Sequence, residues 1–343
     1  MVHYVSLQND GKTDVPETSF KSRLVKQIED LEPKGQFLGV KPTQFGSAAP
    51  VGEMVEFNLL GRSLNWISLS GDFEMSGPMM GDTLFVGVLI KSTGLKMWSK
   101  QALAGDVFVI PAGETLFMRL DGHCELAMLE IDLEFLKEQV HEMGLSIDGQ
   151  LTKADMHRTG SGIGARAAAQ VAYVCRSLQR DSGDADAVIE EASYATLVNA
   201  LLEVLGAAEL FDIRVPRMER LGYELLTETR ELIQHVHPRE LDIDALVSKL
   251  GVSRRQLYRA FNCHLGLSPA KYLKLYRMSR VRRDLSCRKD PASSVNEAAL
   301  QWGFTELGRF AGEYKAQFSE HPSATLRAAR SYARFAQRQS ANA

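Results

Sequence analysis

The feature that most constrains this sequence is one helical unit that occurs twice between residues 241 and 322. Gly251 in the first copy and Gly303 in the second are 52 residues apart, whereas Leu257 and Phe310 are 53 residues apart. The second copy therefore carries one extra residue in its turn. A period shared over about 30 residues indicates two copies of one supersecondary structure.

Each copy has the residue pattern of a helix-turn-helix. The glycine at the end of its first helix can take a positive φ without a Cβ clash. Two residues later, Ser253 in the first copy and Thr305 in the second offer a hydroxyl group that can cap the next helix. In the first copy this next helix has Leu257 and Phe261 four residues apart, which predicts one buried face.

The other face of this helix is basic in the first copy, where it carries Arg254, Arg255, Tyr258 and Arg259. An arginine side chain can donate two hydrogen bonds to guanine in the DNA major groove, and a helix N-terminus favours phosphate. An ordinary helical hairpin with a solvated basic face is the alternative. Two copies at a fixed spacing favour the DNA-binding interpretation over it.

Three short segments add a resemblance to the AraC/XylS family of bacterial transcription regulators, in the branch of the benzoate/toluate and ethanolamine regulators. The segments are Glu297–Phe304 (EAALQWGF), Leu307–Phe310 (LGRF) and Phe318–Arg327 (FSEHPSATLR). The resemblance covers the C-terminal part of the chain. It implies an all-α DNA-binding domain over residues 217–332, in which a long helix joins two helix-turn-helix motifs.

The family motif implies which residues contact DNA. In the first copy, the base contacts are expected from Arg255, Tyr258 and Arg259, and Arg254 is expected to contact phosphate. The second copy departs from this pattern, since Leu307, Gly308 and Gly312 stand at the matching positions and offer little for hydrogen bonding. This favours reading of DNA shape, thymine methyl groups or backbone there. The residues still predicted to contact DNA in the second copy are Thr305, Glu306, Leu307 and Arg309.

A basic helix is predicted from Pro269 to about Leu285, between the two motifs. Lys274 and Arg277 are its predicted phosphate contacts, and its other charges are expected to be divided between phosphate and solvent. If this helix sets the recognition helices about 34 Å apart, one turn of DNA, both can enter successive major grooves on one face.

Charge divides this 343-residue chain into two parts. Residues 217–343 hold 22 Lys and Arg against 13 Asp and Glu, a net charge of +9, whereas residues 1–216 have a net charge of −12. A basic domain joined to an acidic one suits a polyanion-binding module attached to a module that does not bind DNA. The length also predicts two domains. We place a sensor and dimerisation domain at 1–210 and a linker at 206–216.

The predicted fold class is α+β, with a cupin-like β-barrel before the helical domain. Residues 36–131 contain short apolar runs bounded by Gly and Pro, and Gly105–Gly113 is similar to a cupin-type strand pair. The family resemblance implies a sensor barrel, which could hold one small-molecule effector. Ahead of it, the spacing of apolar residues predicts a helix over Phe20–Leu31.

The class of effector stays open between two alternatives. A small amine would suit Trp98 or Phe73 acting with a carboxylate, through cation–π attraction. An aromatic acid would instead pair with Arg62 or Arg119. Each aromatic residue also has an alternative role as a core residue of the barrel.

Two helices are predicted within residues 163–205, at 163–180 and 187–205. The family resemblance implies that such a pair makes the contact of a homodimer, with Leu201, Leu202 and Leu205 as the candidate seam. Packing of both helices on the barrel is the alternative, and the sequence favours neither.

Several classes of protein are disfavoured. A metal-binding cupin needs a His-x-His pair with further ligands, but only His123 lies in the β-rich region, and no catalytic motif is present. We therefore expect no enzyme, cofactor or metal. Four widely spaced cysteines, no signal peptide and no 18-residue apolar stretch predict a cytoplasmic protein without a membrane segment.

Together these features predict a ligand-responsive transcription activator whose partners are double-stranded DNA, RNA polymerase and a small-molecule effector. A constitutive or architectural DNA-binding protein, whose barrel serves only dimerisation, is the alternative. Sequence-specific footprinting separates the two, because an architectural protein would show little preference for any site.

Replacement of Arg259 by alanine tests the assignment of the first motif. We expect Arg259→Ala to weaken binding by about 1–3 kcal/mol and to relax specificity at one base position, because one bidentate base contact is lost. Affinity measurements on single-base variants of the bound site measure both effects. Equal weakening on all sequences would instead identify Arg259 as a phosphate contact.

Overall fold

The computed structural model describes most of the chain from residue 20 to residue 341. The described residues are 20–31, 39–59, 62–79, 83–98, 100–145, 147, 151–159, 162–180, 187–207, 217–237, 240–287, 292 and 294–341. Residues 1–19 and most of the predicted linker at 206–216 lie outside these ranges. The predicted domain boundaries therefore stay predictions.

The N-terminal part is built on one nine-stranded antiparallel sheet in the order β1-β3-β4-β8-β5-β7-β9, with β2 paired to β4 and β6 paired to β5. The strands are β1 (Phe20–Val25), β2 (Lys41–Gln44), β3 (Val51–Leu59), β4 (Arg62–Pro78), β5 (Leu84–Met97), β6 (Lys100–Gln101), β7 (Val107–Ile110), β8 (Thr115–Ile131) and β9 (Asp155–His157).

The sheet is open, which corrects the predicted closed barrel. A barrel closes when its two edge strands pair, but in the described part of the chain the path of strands ends at β1 on one side and at the three-residue β9 on the other. Strand β7 lies where the cupin-type pair was predicted, and it pairs with β5 and β9. The cupin-like label itself is not confirmed.

The predicted helix over Phe20–Leu31 was wrong. Residues 20–25 form β1, which pairs antiparallel with β3, and only Ile28–Leu31 form a short 3₁₀-helix. Leu24, which the helical pattern would bury, is exposed on the strand. Pairing with a strand about 30 residues away overrode a local spacing that fits a helix equally well.

Three helices pack on one face of the sheet: α1 (Leu133–Glu142), α2 (Ile163–Arg180) and α3 (Ala187–Ala207). Because side chains alternate along a strand, β5 directs Val86 and Val88 towards these helices and Phe85 and Leu89 towards the opposite face. The sheet therefore has one apolar core against the helices and a second in its concave interior.

The three leucines that formed the candidate dimer seam lie inside this first core. Leu201, Leu202 and Leu205 are buried against the sheet and against α2. In this conformation they cannot contact a second subunit, which corrects the seam and favours the alternative that the helices pack on the sheet. The dimer itself stays a prediction.

All the regular secondary structure described in the C-terminal part is helical. Its helices are α4 (Arg217–His235), α5 (Ile243–Leu250), α6 (Arg254–Leu265), α7 (Pro269–Ser286), α8 (Val295–Gln301), α9 (Leu307–Phe318) and α10 (Pro322–Ala341). Helices α5 and α6 form the first helix-turn-helix, and α8 and α9 the second. Each motif has its own core, and α7 contributes to both, with Tyr272 and Leu273 in the first and Val281 and Leu285 in the second.

The two turns differ in how they start the recognition helix. Gly251 ends α5 with φ of 62°, and Ser253 then forms a capping box with Gln256 at the start of α6. In the second motif the N-cap is Glu306, and within the described residues its side chain caps no backbone N–H group. The predicted cap by Thr305 was therefore wrong, because the extra residue of the second turn moves the start of α9.

Truncation of Leu202 tests whether α3 is a core helix. Leu202 is 0 % exposed, so we expect Leu202→Ala to lower the free energy of unfolding by about 2–5 kcal/mol through lost burial and a residual cavity. Tyr173 on α2 is 68 % exposed, and Tyr173→Ala is the matched control with an expected change within about 0.5 kcal/mol. Chemical denaturation measures both. A change in subunit association without a change in stability would contradict the core assignment.

Candidate nucleic-acid interface and ligand cavity

The first recognition helix, α6, presents its predicted DNA contacts to solvent. Arg255 and Arg259 are exposed and Tyr258 is half-buried, whereas Leu257 and Phe261 on the opposite face are buried. This division into a basic outer face and an apolar inner face is what insertion into a major groove requires.

Arg254 begins α6 and has a partner within the protein. Its guanidinium forms an exposed ion pair with Asp244 of α5. An exposed pair of this kind contributes little to stability, so Arg254 can exchange this partner for a phosphate group. The predicted phosphate contact is compatible with its position.

The second recognition helix, α9, is less polar. Thr305, Glu306 and Arg309 are exposed near its start and Leu307 is half-buried. Gly308 and Gly312 lie on the exposed face, and no described atom would come within 4 Å of a Cβ atom at either position. Packing within the protein therefore does not explain why these residues are glycine.

The predicted phosphate contacts of α7 differ in their surroundings. The Nζ atom of Lys274 lies 2.7 Å from Oε1 of Glu313 on α9, so Lys274 also links the two helices. Arg277 is half-buried, and this burial lowers its pKa against the opposing effect of Asp242.

Two further arginines of α7 bind partners within the protein, although the remaining charges of this helix were expected to contact phosphate or solvent. Nη2 of Arg280 donates to the backbone oxygen of Pro42 at 3.2 Å. Nε of Arg282 lies 2.6 Å from Oε1 of Glu29, and Nη1 of Arg282 lies 2.7 Å from Oε1 of Glu320. Both arginines are buried, so the basic composition of α7 overstates its DNA-binding surface.

The centre of the contact between the sheet and the helical part is a buried polar cluster, which we call the interdomain cluster: Glu74 of β4, Arg230 of α4 and Tyr272 of α7. Arg230 donates to both carboxylate oxygens of Glu74, at 3.1 and 2.8 Å, and the Tyr272 hydroxyl donates to Oε1 at 2.9 Å. All three residues are buried. Burial and the Glu74 charge raise the pKa of Tyr272, which keeps its hydroxyl protonated as a donor.

Aromatic rings surround this cluster. The Arg230 guanidinium lies 3.7 Å from the centroid of the Phe117 ring, and the Tyr272 ring packs edge-on against Phe45 and against Phe261 of α6. Because the cluster joins residues 156 and 198 positions apart, no local pattern could have identified Glu74, which the sequence shows only as one scattered carboxylate.

The concave interior of the sheet contains a cavity of about 510 Å³. Half of its apolar lining is methionine and phenylalanine, and the other half is leucine, valine and isoleucine; the first group is Met54, Met75, Met97, Met118, Met128, Phe85 and Phe108. Its polar lining comes from Lys21, Ser22, Arg23, Glu56, Ser63, Asn65 and Glu130. Methionine side chains are flexible and polarisable, so this cavity can adapt to different ligand shapes.

The four predicted ligand residues lie outside the lining of this cavity. Phe73 is a fully buried core residue, and Trp98 packs between the sheet interior and the helical part. Arg119 forms an ion pair with Asp72 and stacks on a phenylalanine ring. Arg62 stacks on the rings of α1 and α3. The repeated methionines of the strands were a signal that the sequence analysis missed.

Two findings concern other kinds of site. In the described ranges, no group of three or more His, Cys, Asp and Glu side chains is placed to hold a metal ion. Of the described helices, none is both long enough and apolar enough to cross a membrane.

Comparison with known proteins identifies the helical part. A family profile described as a helix-turn-helix domain matches residues 246–328. A xylDLEGF operon transcriptional activator 1 of Pseudomonas putida is 25 % identical over 296 residues, which cover 81 % of this chain and 85 % of that protein. A probable thc operon regulatory protein of Rhodococcus erythropolis is 47 % identical over 88 residues, 25 % of this chain and 26 % of that protein.

A solved structure agrees at the level of sequence. The structure of a probable AraC family transcriptional regulator from Rhodopseudomonas palustris is 34 % identical and covers 31 % of this chain and 98 % of its own chain. Its TM-score of 0.29 is too low for a comparison of overall architecture. With the two helix-turn-helix motifs and the basic face of α6, the profile match shows that residues 246–328 form a helix-turn-helix domain of the AraC type, and the chain is similar to transcription regulators of the AraC/XylS family.

Proposed function

We propose that this protein is a ligand-responsive activator of transcription, in which a small molecule in the cavity changes how the DNA-binding helices are held. The names of the Pseudomonas putida relatives support activation. The observation that carries the proposal is a wall of two paired strands, β4 and β8, that has the cavity on one side and the DNA-binding helices on the other.

Alternation along these strands gives the wall its two faces. Met75, Leu116 and Met118 line the cavity. Their neighbours in sequence, Glu74 and Phe117, contact Arg230 of α4 on the other face. Since Met75 and Met118 are paired across the two strands, a ligand that displaces them also displaces the side chains that hold the DNA-binding helices.

The interdomain cluster gives this displacement an energetic effect. Its charges are buried, and a buried ion pair that loses one partner is destabilised by about 3–5 kcal/mol. The contact is therefore either complete or broken, without stable partial forms. A ligand shifts the balance only if it binds the two arrangements with different affinity, and contact with Met75 and Met118 provides such a difference.

Both recognition helices are connected to the sheet. Tyr272 of the interdomain cluster packs against Phe261, on the buried face of α6. At the end of α9, the Gln317 amide donates to the backbone oxygens of Gln44 and Gly46, at 3.2 and 3.0 Å. A change in the sheet therefore alters the support of both helices that enter DNA.

The cavity lining favours a ligand with an apolar body and one polar end. The polar lining includes two basic residues, Lys21 and Arg23, and two acidic residues, Glu56 and Glu130. A small amine and an aromatic acid both meet an opposite charge there, so both classes remain in the proposal. RNA polymerase and a second copy of the chain are its proposed protein partners.

A thermal-shift screen of the full chain tests the ligand site. The panel contains small amines, amino acids and aromatic acids, and we expect one class to raise Tm. Met118→Trp should remove that rise because the indole ring obstructs the part of the cavity that lies against β4 and β8, whereas Met143→Trp, on an exposed methionine of the N-terminal part, should keep it. An unchanged rise in Met118→Trp would place the ligand elsewhere. The absence of any hit, with little site preference in footprinting, would favour the architectural alternative.

Glu74→Gln tests the coupling. This change leaves the Arg230 charge buried without a counter-charge, so we expect it to favour the separated arrangement by about 3–5 kcal/mol. The ratio of DNA affinities with and without the ligand should then fall towards one. Glu134→Gln, in an exposed pair on α1, is the matched control and should keep the ratio of the unmodified protein. If Glu74→Gln also keeps it, the coupling runs through other contacts.

A further inference from the structure

We propose that Glu313 is a positioning residue for DNA recognition by the second motif, and that it holds Arg309 so that the end of its guanidinium group donates to a guanine base. This inference concerns the DNA-binding activity of the family and does not depend on the ligand response. It assigns one base-contacting residue to the second motif, whose sequence offered few candidates for hydrogen bonds to bases.

The contacts of three residues carry this inference. Nε of Arg309 donates to Oε1 of Glu313 at 3.0 Å, one turn further along α9. The same oxygen lies 2.7 Å from Nζ of Lys274, which projects from α7. The side chain of Arg309 is 70 % exposed but that of Glu313 only 26 %. The carboxylate is therefore held from a second helix, while the guanidinium extends into solvent.

The anchor on α7 distinguishes this pair from an ordinary surface ion pair. An isolated exposed pair is weak because two long side chains must be ordered for a single contact. Here Lys274 already orders the Glu313 side chain. When the Arg309–Glu313 pair forms, only the Arg309 side chain therefore loses conformational freedom. Hydrogen bonds from Lys274 and Arg309 outweigh partial burial and lower the pKa of Glu313, so the carboxylate stays charged at neutral pH.

The orientation leaves the useful part of the guanidinium available. With Nε bound to Glu313, the Nη1 and Nη2 edge can donate two parallel hydrogen bonds, and guanine O6 and N7 accept this pattern in the major groove. Glu306 is also near, but its Oε2 atom lies 3.6 Å from Nη1, which is too long for a hydrogen bond.

The surface beside Arg309 supports close approach to DNA. Gly308 and Gly312 occupy the positions that Arg255 and Arg259 occupy in the first motif, 53 residues earlier. Their exposed face has no described atom within 4 Å of an added Cβ atom. A helix with such a face can lie nearer the groove than α6, and the one arginine next to it then reaches the base edges.

The experiment begins with binding sites selected by the full-length protein from a random-sequence duplex library. Affinities are then measured on the selected site and on every single-base variant of it. We expect the unmodified protein to prefer guanine at one position of the second half-site by about 5- to 150-fold, the range that one bidentate pair confers. Arg309→Lys should remove this preference and keep the salt dependence, because the charge remains but the two-donor edge is lost.

Glu313→Ala should reduce the same preference to about threefold or less, which is below the range that one bidentate pair confers. Glu313→Gln keeps an acceptor for Nε and should restore part of the preference. Glu297→Gln, at an exposed carboxylate on α8, is the matched control and should leave the preference unchanged. Base preferences in the first half-site should be the same in every variant, which shows that each variant folds and binds.

Three results would overturn the proposal. Tighter binding of Glu313→Ala to all sequences would mean that Glu313 neutralises Arg309 instead of positioning it. An unchanged guanine preference would remove Glu313 from recognition. Loss of base preferences in both half-sites would reduce its role to the stability of the domain.

Discussion

The buried contact between Glu74 and Arg230 is the interaction on which the arrangement of this protein depends. A carboxylate and a guanidinium without water are stable only when each satisfies the other, and here Tyr272 supplies one further hydrogen bond to the carboxylate. The three residues come from β4, α4 and α7, so one contact fixes the sheet against both the first helix of the DNA-binding part and the helix that joins its two motifs. Loss of Glu74 or Arg230 leaves the opposite charge buried and unpaired in a low dielectric, and loss of Tyr272 removes one hydrogen bond from the carboxylate, which makes the contact cooperative.

The side chains of helix α7 form two groups with different contacts. Its inner surface carries Tyr272, Arg280 and Arg282, which bind the sheet or the residues that lead to it. Its outer surface carries Lys274, which binds the second recognition helix. The same helix therefore spaces the two motifs and receives the contact from the sheet. A displacement at β4 therefore reaches both motifs through this one helix, and the second motif has a further contact with the sheet through Gln317.

The two motifs share a backbone plan but differ in chemistry. The first has an apolar inner face, a capping box and several exposed basic side chains on α6. The second has two glycines at the matching positions and one arginine, Arg309, which is tied to a neighbouring helix through Glu313. Such an asymmetric pair favours a binding site whose two halves differ, with one half recognised by several donors and the other by a single oriented guanidinium and the shape of the groove.

The sequence by itself determined the helix-turn-helix repeat and the resemblance to AraC/XylS regulators, because these depend on signals within a few residues, and the charge division follows from composition alone. Gly251 ends a helix through its own backbone conformation, and Ser253 caps the next helix through a contact three residues away. Only the tertiary structure decided the rest. Phe20–Val25 became a strand through pairing with β3, and Leu202 became a core residue through packing on the sheet. The cavity and the contact of Glu74 with Arg230 likewise arise between residues that are distant in the chain, and local propensity carries no information about such contacts.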